Sequence, residues 1–176
     1  MELPSTADIT FRAMRKSDFK FVKNFLSKVE TTRYLPLEKP YSESDAKAWF
    51  NLRLDHWQKH NFGTFILSGK RPVEPVGYCG LEFVKESSFV DIRYGLIPSV
   101  WGKGYAFQAA LAVLEYGFND LELDKICGAV VPENLPSKSI LEKLGFRPDI
   151  TFDVYGDVVM PFSINRGKFL EKFRVS

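Results

Sequence analysis

The sequence predicts a mixed α/β domain, and three observations carry that reading. Apolar runs of strand character alternate with amphipathic helical stretches along the chain, so neither an all-α nor an all-β layer accounts for them. Two neighbouring strand-like runs, Val76–Val84 and Phe89–Ile97, are joined by Lys85-Glu86-Ser87-Ser88, which reads as an antiparallel hairpin. Two later strand-to-helix junctions, marked by Gly102-Lys103-Gly104 and by Asn134, complete a central βαβα run.

The elements follow in order. Ile9–Met14 is a short strand, and Ser17–Val29 is helical, with Phe21, Val22, Phe25, Leu26 and Val29 on one face and Ser17 or Asp18 near its start. Ser42–His60 is a second helix, because Ser42 is a fitting N-cap and Asp45 supplies an acidic variant of the capping box. Thr64–Ser68 precedes the loop Lys70-Arg71-Pro72-Val73-Glu74-Pro75, and the hairpin follows. Beyond Gly104 a helix runs through Phe118, with Ala106, Ala109, Ala110, Val113, Leu114, Gly117 and Phe118 at helical spacing. Lys125–Val131 is a strand, Asn134 to Leu144 a helix ended by Gly145, and strands around Phe146–Val154 and Val158–Ile164 close the chain.

Composition bounds the function classes. At 176 residues, 45% of them hydrophobic, residues 1–176 form one domain. A chain of this size buries about 70% of its unfolded surface, enough for a core without staples. Disorder, collagen-like repetition and a disulfide scaffold are excluded. Two Cys and two His cannot populate a four-ligand zinc site in any recognisable spacing, so no metal is expected and a reduced, cytoplasmic protein is. The N-terminus Met1-Glu2-Leu3-Pro4-Ser5-Thr6 lacks secretory character, and no uncharged stretch approaches the ~18 residues of a membrane span, so no membrane partner is expected. Arg12, Arg15, Lys16, Lys20, Lys23 and Lys28 stand against Asp18 alone, either a solvated helix face or an electrostatic docking surface. With a net charge of only +2 and no base-reading motif, nucleic acid is disfavoured as a partner.

Chemistry concentrates at the two junctions. Trp101-Gly102-Lys103-Gly104-Tyr105-Ala106 lies between a strand and a helix, where glycines admit close approach and free N–H groups at the positive helix end attract a phosphate or pyrophosphate. Phe107 occupies the place where a dinucleotide fingerprint needs a third glycine, and no Walker pattern occurs. Taken alone, the turn also reads as an ordinary loop, and Asn134 as an ordinary N-cap.

Taken together, the two segments resemble the GNAT superfamily of N-acetyltransferases and, more narrowly, its RimJ/RimL-like branch. The branch pattern P-x-x-W-G-K-G-Y-A is matched by Pro98-Ser99-Val100-Trp101-Gly102-Lys103-Gly104-Tyr105-Ala106, with Trp101 in place of the Gln/Arg that leads the superfamily's loop. Pro132, Glu133, Asn134 and Ser137, followed by Leu141, Glu142, Lys143, Leu144, Gly145 and Phe146, are similar to the later family stretch. The resemblance implies a mixed, mostly antiparallel central sheet flanked by helices, with strands splayed at a CoA cleft. It implies acetyl-CoA as co-substrate, its pyrophosphate on the N–H groups of Trp101, Gly102, Lys103, Gly104, Tyr105 and Ala106. The pantetheine arm would lie between the strand ending at Ile97 and the one ending at Val131. Asn134 would bond that arm, and Ser137 would stand near the thiolate. Leu141 occupies the place of a tyrosine acid used by many members.

Acetyl transfer needs a neutral amine. At pH 7 an α-amino group is roughly 10–17% neutral and a lysine amine well below 0.1%, so an α-amine needs the weaker base. If Glu86-Ser87 forms the hairpin tip, Asp91 pairs with Glu82 and two carboxylates share one face, an arrangement that raises one pKa. The other reading has both carboxylates in solvent or paired with Arg93, which stands where the branch commonly has glycine. Trp49, Phe50, Trp57 and Phe62 form either an acceptor wall or core, and Cys79 and Cys127 read as small buried hydrophobes.

The expected activity is direct transfer of acetyl from acetyl-CoA to a primary amine, assisted by Asp91 or Glu82 acting through water. The resemblance favours a protein N-terminal α-amine of the ribosomal-protein type as acceptor. The alternatives are a small-molecule amine, or a non-catalytic acyl-CoA sensor. A monomer and a homodimer are both open.

Overall fold

The computed structural model describes residues 4–71 and 73–173. Pro72, in the expected loop, and Met1–Leu3, in the expected non-secretory N-terminus, lie outside the described residues. One seven-stranded sheet runs through the molecule in the order β1-β2-β3-β4-β5-β7-β6. Its strands are β1 (Ile9–Ala13), β2 (Thr64–Gly69), β3 (Pro75–Phe83), β4 (Val90–Leu96), β5 (Lys125–Val130), β6 (Arg147–Pro148) and β7 (Met160–Asn165). All neighbours are antiparallel except β4 and β5. That parallel pair is in register only at Asp91 with Cys127, and beyond it, toward Leu96 and Val130, the two strands part. The sheet is therefore split between β4 and β5.

Helices cover both faces. On one side α1 (Phe19–Leu26), the single turn α2 (Val29–Thr32) and α3 (Glu43–His60) bring Phe25, Leu26, Trp49 and Phe50 onto Ile66 and Tyr78. On the other, α4 (Tyr105–Asn119), α5 (Leu135–Leu144) and α6 (Arg166–Phe173) enclose the larger core around Leu81, Ile92, Val113, Leu114, Ile126 and Phe169. Gly117 lets α4 approach closely: a Cβ there would lie 2.6 Å from Leu81 and 2.8 Å from Ile126. No helix among the described residues is long and apolar enough to cross a membrane.

The Ser42 cap forms as expected: its hydroxyl accepts the Asp45 N–H at 3.1 Å and Asp45 accepts the Ser42 N–H at 3.2 Å. The hairpin register is also the expected one, with Glu82 opposite Asp91, although the strands are joined by the six residues 84–89, closed by the Val84 N–H donating to the Phe89 carbonyl at 2.9 Å, rather than by a two-residue tip. Three expectations need correction. The first helix stops at Leu26, because Lys28 is extended and the Ser27 hydroxyl caps the Asn24 carbonyl at 2.8 Å. The strand expected over Phe146–Val154 shrinks to Arg147–Pro148, since Asp149 folds the chain into a turn by accepting the Thr151 N–H and hydroxyl at 3.0 and 2.6 Å. Helix α6, absent from the sequence reading, packs Phe169 against Phe118.

Candidate active site

The split edge of the sheet gathers both junctions. Past β4, a short 3₁₀ turn at Pro98–Val100 leads into the glycine loop, and the Trp101 indole N–H donates to the Leu96 carbonyl at 2.8 Å, tying the loop to the strand end. Gly102 and Gly104 have φ of +74° and +76°, the left-handed region that disfavours side chains, and a Cβ at either would meet nothing within 4 Å. Glycine is required here by backbone conformation, and the space around it is open. The first helical bond of α4 runs from the Gln108 N–H to the Gly104 carbonyl at 3.1 Å. Among the described residues, no N–H from Gly102 to Phe107 donates to a protein acceptor at hydrogen-bond geometry. That leaves a row of donors at the positive end of a fifteen-residue helix, a cradle suited to a pyrophosphate. Trp101 and Ile97 differ: against expectation the Trp101 N–H is given to the Pro98 carbonyl at 3.1 Å, closing the 3₁₀ turn, and the Ile97 N–H to the Val76 carbonyl at 2.9 Å, so neither offers a free main-chain donor.

Across the split, Asn134 caps α5 by accepting the Ser137 N–H at 3.3 Å. The Ser137 hydroxyl lies 2.8 Å from the hydroxyl of Tyr94 on β4, whose single O–H also lies 3.3 Å from the Ser137 carbonyl. This pair bridges β4 to α5. Burial pushes the Tyr94 phenol well above its ordinary range, so it stays protonated. From the opposite helical layer Tyr34 donates to the Glu133 carbonyl at 3.4 Å.

On the α3 face, at the last paired position before the strands part, sits a buried charged network. Glu82 and Asp91, each 4% exposed, stand opposite one another, so the solvated alternative is excluded. Arg93 holds both, giving Nε to Asp91 at 2.8 Å and Nη1 to Glu82 at 3.0 Å. Its Nη2 donates to the Tyr155 hydroxyl at 3.2 Å, and Tyr155 in turn donates to Asp91 at 2.5 Å. Glu82 also accepts from Thr64 at 2.6 Å and lies 3.7 Å from the buried Nε of Arg53, whose guanidinium sits over the Trp49 ring. Two carboxylates thus meet two guanidiniums.

The electrostatic reason for a raised carboxyl differs from the one expected. Burial is the largest force lifting Asp91, Arg93 and Tyr155 oppose it, and the charge of Glu82 contributes least. The same carboxylates lift Arg93 far above its usual range, against desolvation.

Trp49, Phe50 and Phe62 are buried, and Trp57 packs against the core with its indole N–H donating to the Thr64 carbonyl at 2.7 Å, so this group is core. Cys79 and Cys127 are buried free thiols, and burial lifts Cys127 to about 12. Sequence reasoning missed Tyr94 as a polar member, because alternation placed it in the apolar set. It also missed Tyr155, Arg53 and Thr64, which the fold delivers from distant segments. Among the described residues no three His, Cys, Asp or Glu side chains gather as a metal site.

Comparison with known proteins fits this geometry. Residues 8–147 match the family model described as an acetyltransferase (GNAT) domain. An uncharacterized N-acetyltransferase, p20, of Bacillus licheniformis is 30% identical over 85% of this chain and 84% of its own. An acetyltransferase structure from Agrobacterium tumefaciens str. C58 superposes with a TM-score of 0.83 at 21% identity, over 94% of this chain and 95% of that one. Spermidine N-acetyltransferase from Vibrio cholerae, in complex with CoA and spermine, gives 0.74 at 24% identity over 94% and 99%. A ribosomal-protein-S5-alanine acetyltransferase from Vibrio fischeri gives 0.72 at 19% over 94% and 97%. The solved structures establish the fold; the family match and the p20 relative establish that this chain belongs to the GNAT family of N-acetyltransferases.

Proposed function

We propose that this N-acetyltransferase uses acetyl-CoA to acetylate a protein N-terminal α-amine, as a member of the RimJ/RimL-like branch. The observation that carries the acceptor reading is the neutralised network: both buried carboxylates are held by Arg93, and Glu82 also faces Arg53. Burial makes Asp91 a stronger base than a free carboxylate, and, paired with guanidiniums, neither carboxylate has free charge to meet the second ammonium of a polyamine. An α-amine, already partly neutral at pH 7, needs no stronger base.

The residues present fit the co-substrate. A molecule bearing a pyrophosphate at one end and a thioester at the other requires an anion cradle beside a slot, and the free N–H row from Gly102 to Ala106 beside the β4/β5 split supplies both. Trp101 anchors the cradle, Lys103 adds positive charge, and Ile97 and Asn134 flank the slot. Bound acetyl-CoA supplies an activated acyl group. Asp91 receives the amine proton through water or through Tyr155, a partly exposed residue whose hydroxyl donates to it. Glu82, enclosed by Thr64, Arg53 and Arg93, holds the guanidiniums in place. Ser137 faces the departing sulfur. Two buried free thiols agree with a cytoplasmic location.

The test is thiol release from acetyl-CoA with three acceptors: a peptide with a free N-terminus and no lysine, an Nα-acetylated peptide with one lysine, and spermidine. Turnover with the first and little with the others is expected. Faster turnover with spermidine or the lysine peptide overturns the acceptor reading.

A further inference from the structure

We infer that Tyr94 is a positioning residue for the transfer step, orienting the Ser137 hydroxyl so that its proton is directed at the leaving sulfur. The inference rests on the proposed placement of Ser137 beside the thioester.

Either hydroxyl can donate across the 2.8 Å contact between Tyr94 and Ser137, and the role inferred for Tyr94 requires its own proton to lie in that bond. Tyr94 has one O–H, which lies 2.8 Å from Ser137 Oγ and 3.3 Å from the Ser137 carbonyl, so that one proton faces two acceptors on the same residue. Burial keeps the phenol protonated, so it retains a proton to give toward α5. A hydroxyl that accepts from Tyr94 spends a lone pair and keeps its own proton free. Among the described residues Ser137 Oγ makes no other hydrogen bond, so its proton has the split between β4 and β5 to point into. Donation from Tyr94 also polarises the Ser137 O–H and strengthens it as a donor.

The chemistry that uses such a donor is the departure step. As the C–N bond forms and the C–S bond breaks, the electron pair stays on sulfur, and the amine proton leaves on the opposite face toward Asp91. Ser137 O–H hydrogen-bonds the developing negative charge, and the free thiolate takes its proton from solvent afterwards. Successive β4 residues thus serve opposite sides: Arg93 organises the α3 face and Tyr94 the α5 face. Leu141, at the place where many family members carry a tyrosine acid, is buried against the core and supplies no hydroxyl.

The experiment compares wild type with Tyr94→Phe, Ser137→Ala, Ser137→Thr and the Tyr94→Phe double variants, using thiol release with the best amine acceptor and acetyl-CoA thermal shift. Tyr94→Phe is expected to lower kcat about tenfold with the acetyl-CoA KM and thermal shift unchanged. Added to Ser137→Ala it is expected to change nothing further; added to Ser137→Thr, which retains a hydroxyl, it is expected to cost tenfold again. Multiplying losses in the Ala background, an unchanged kcat in Tyr94→Phe, or a loss explained by weaker acetyl-CoA binding overturns the positioning role while leaving the enzymatic reading intact. Turnover absent from wild type with every amine overturns both.

Discussion

Removing the Arg93 side chain isolates what the buried network costs and contributes. Asp91 and Glu82 stand opposite one another, each 4% exposed, and Arg93→Ala leaves them Arg53, 3.7 Å from Glu82, as the remaining cation. Breaking a buried ion pair from one side typically costs about 3–5 kcal/mol, because the other charge is left without compensation. With a urea m-value of about 2 kcal/mol/M, the midpoint at pH 8 falls by about 1.5–2.5 M. The sign with pH follows from Asp91. Burial already holds its carboxyl above the ordinary range, and losing Arg93 removes the largest opposing force, so its folded pKa rises further. A carboxyl raised on folding contributes stability below its unfolded pKa of about 3.9 and loses it as pH rises through the folded value. The penalty therefore shrinks from pH 8 toward pH 5, by about 1.4 kcal/mol for each unit of the further rise that lies above pH 5. Urea unfolding of wild type, Arg93→Ala and Arg93→Ala/Asp91→Asn at both pH values is the assay. Asp91→Asn should restore stability to the Ala variant at pH 8, since it removes the uncompensated charge. A penalty under about 1 kcal/mol, a penalty that grows toward pH 5, or further loss on adding Asp91→Asn would refute the electrostatic account.

Two further predictions concern the cleft. Gly104→Ala meets no steric neighbour, so its cost is the left-handed backbone alone, about 1–2 kcal/mol, read as a lower thermal midpoint. It should also reduce the stabilisation by acetyl-CoA, which for wild type at 100 times the dissociation constant is about 2.7 kcal/mol; an undiminished shift would separate the loop from the pyrophosphate. Leu141→Tyr, which restores the family's common residue, should destabilise by about 1–3 kcal/mol without raising kcat, because Leu141 is 2% exposed and packs on Gly128. A gain in kcat would show that the site accepts a phenol there.

Much of the site was legible where chemistry is local in the chain. Hairpin arithmetic placed Asp91 opposite Glu82, because a short antiparallel connection ties register to sequence. Helix-start residues located the glycine loop and Asn134 for the same reason. What escaped the reading was carried by tertiary packing. Tyr155 reaches Asp91 from 64 residues away, through a segment in which Asp149 turns a strand-like sequence into a loop. Arg53 resembles any polar position on a helix until α3 lies across β3 and buries it. Tyr94 is apolar by alternation and polar by its tip, and only the start of α5 shows which matters.

The two halves of the cleft are exposed to mutation in different ways. The glycine-loop cradle presents main-chain N–H groups, which every substitution except proline preserves, so it tolerates drift wherever the left-handed glycines remain. The α3 side depends on side chains contributed by β2, β3, β4, α3 and the loop before β7, any of which a single substitution removes from the network. If the cradle holds the acetyl donor and the α3 side meets the acceptor, as proposed, donor use rests on the backbone and acceptor choice on side chains.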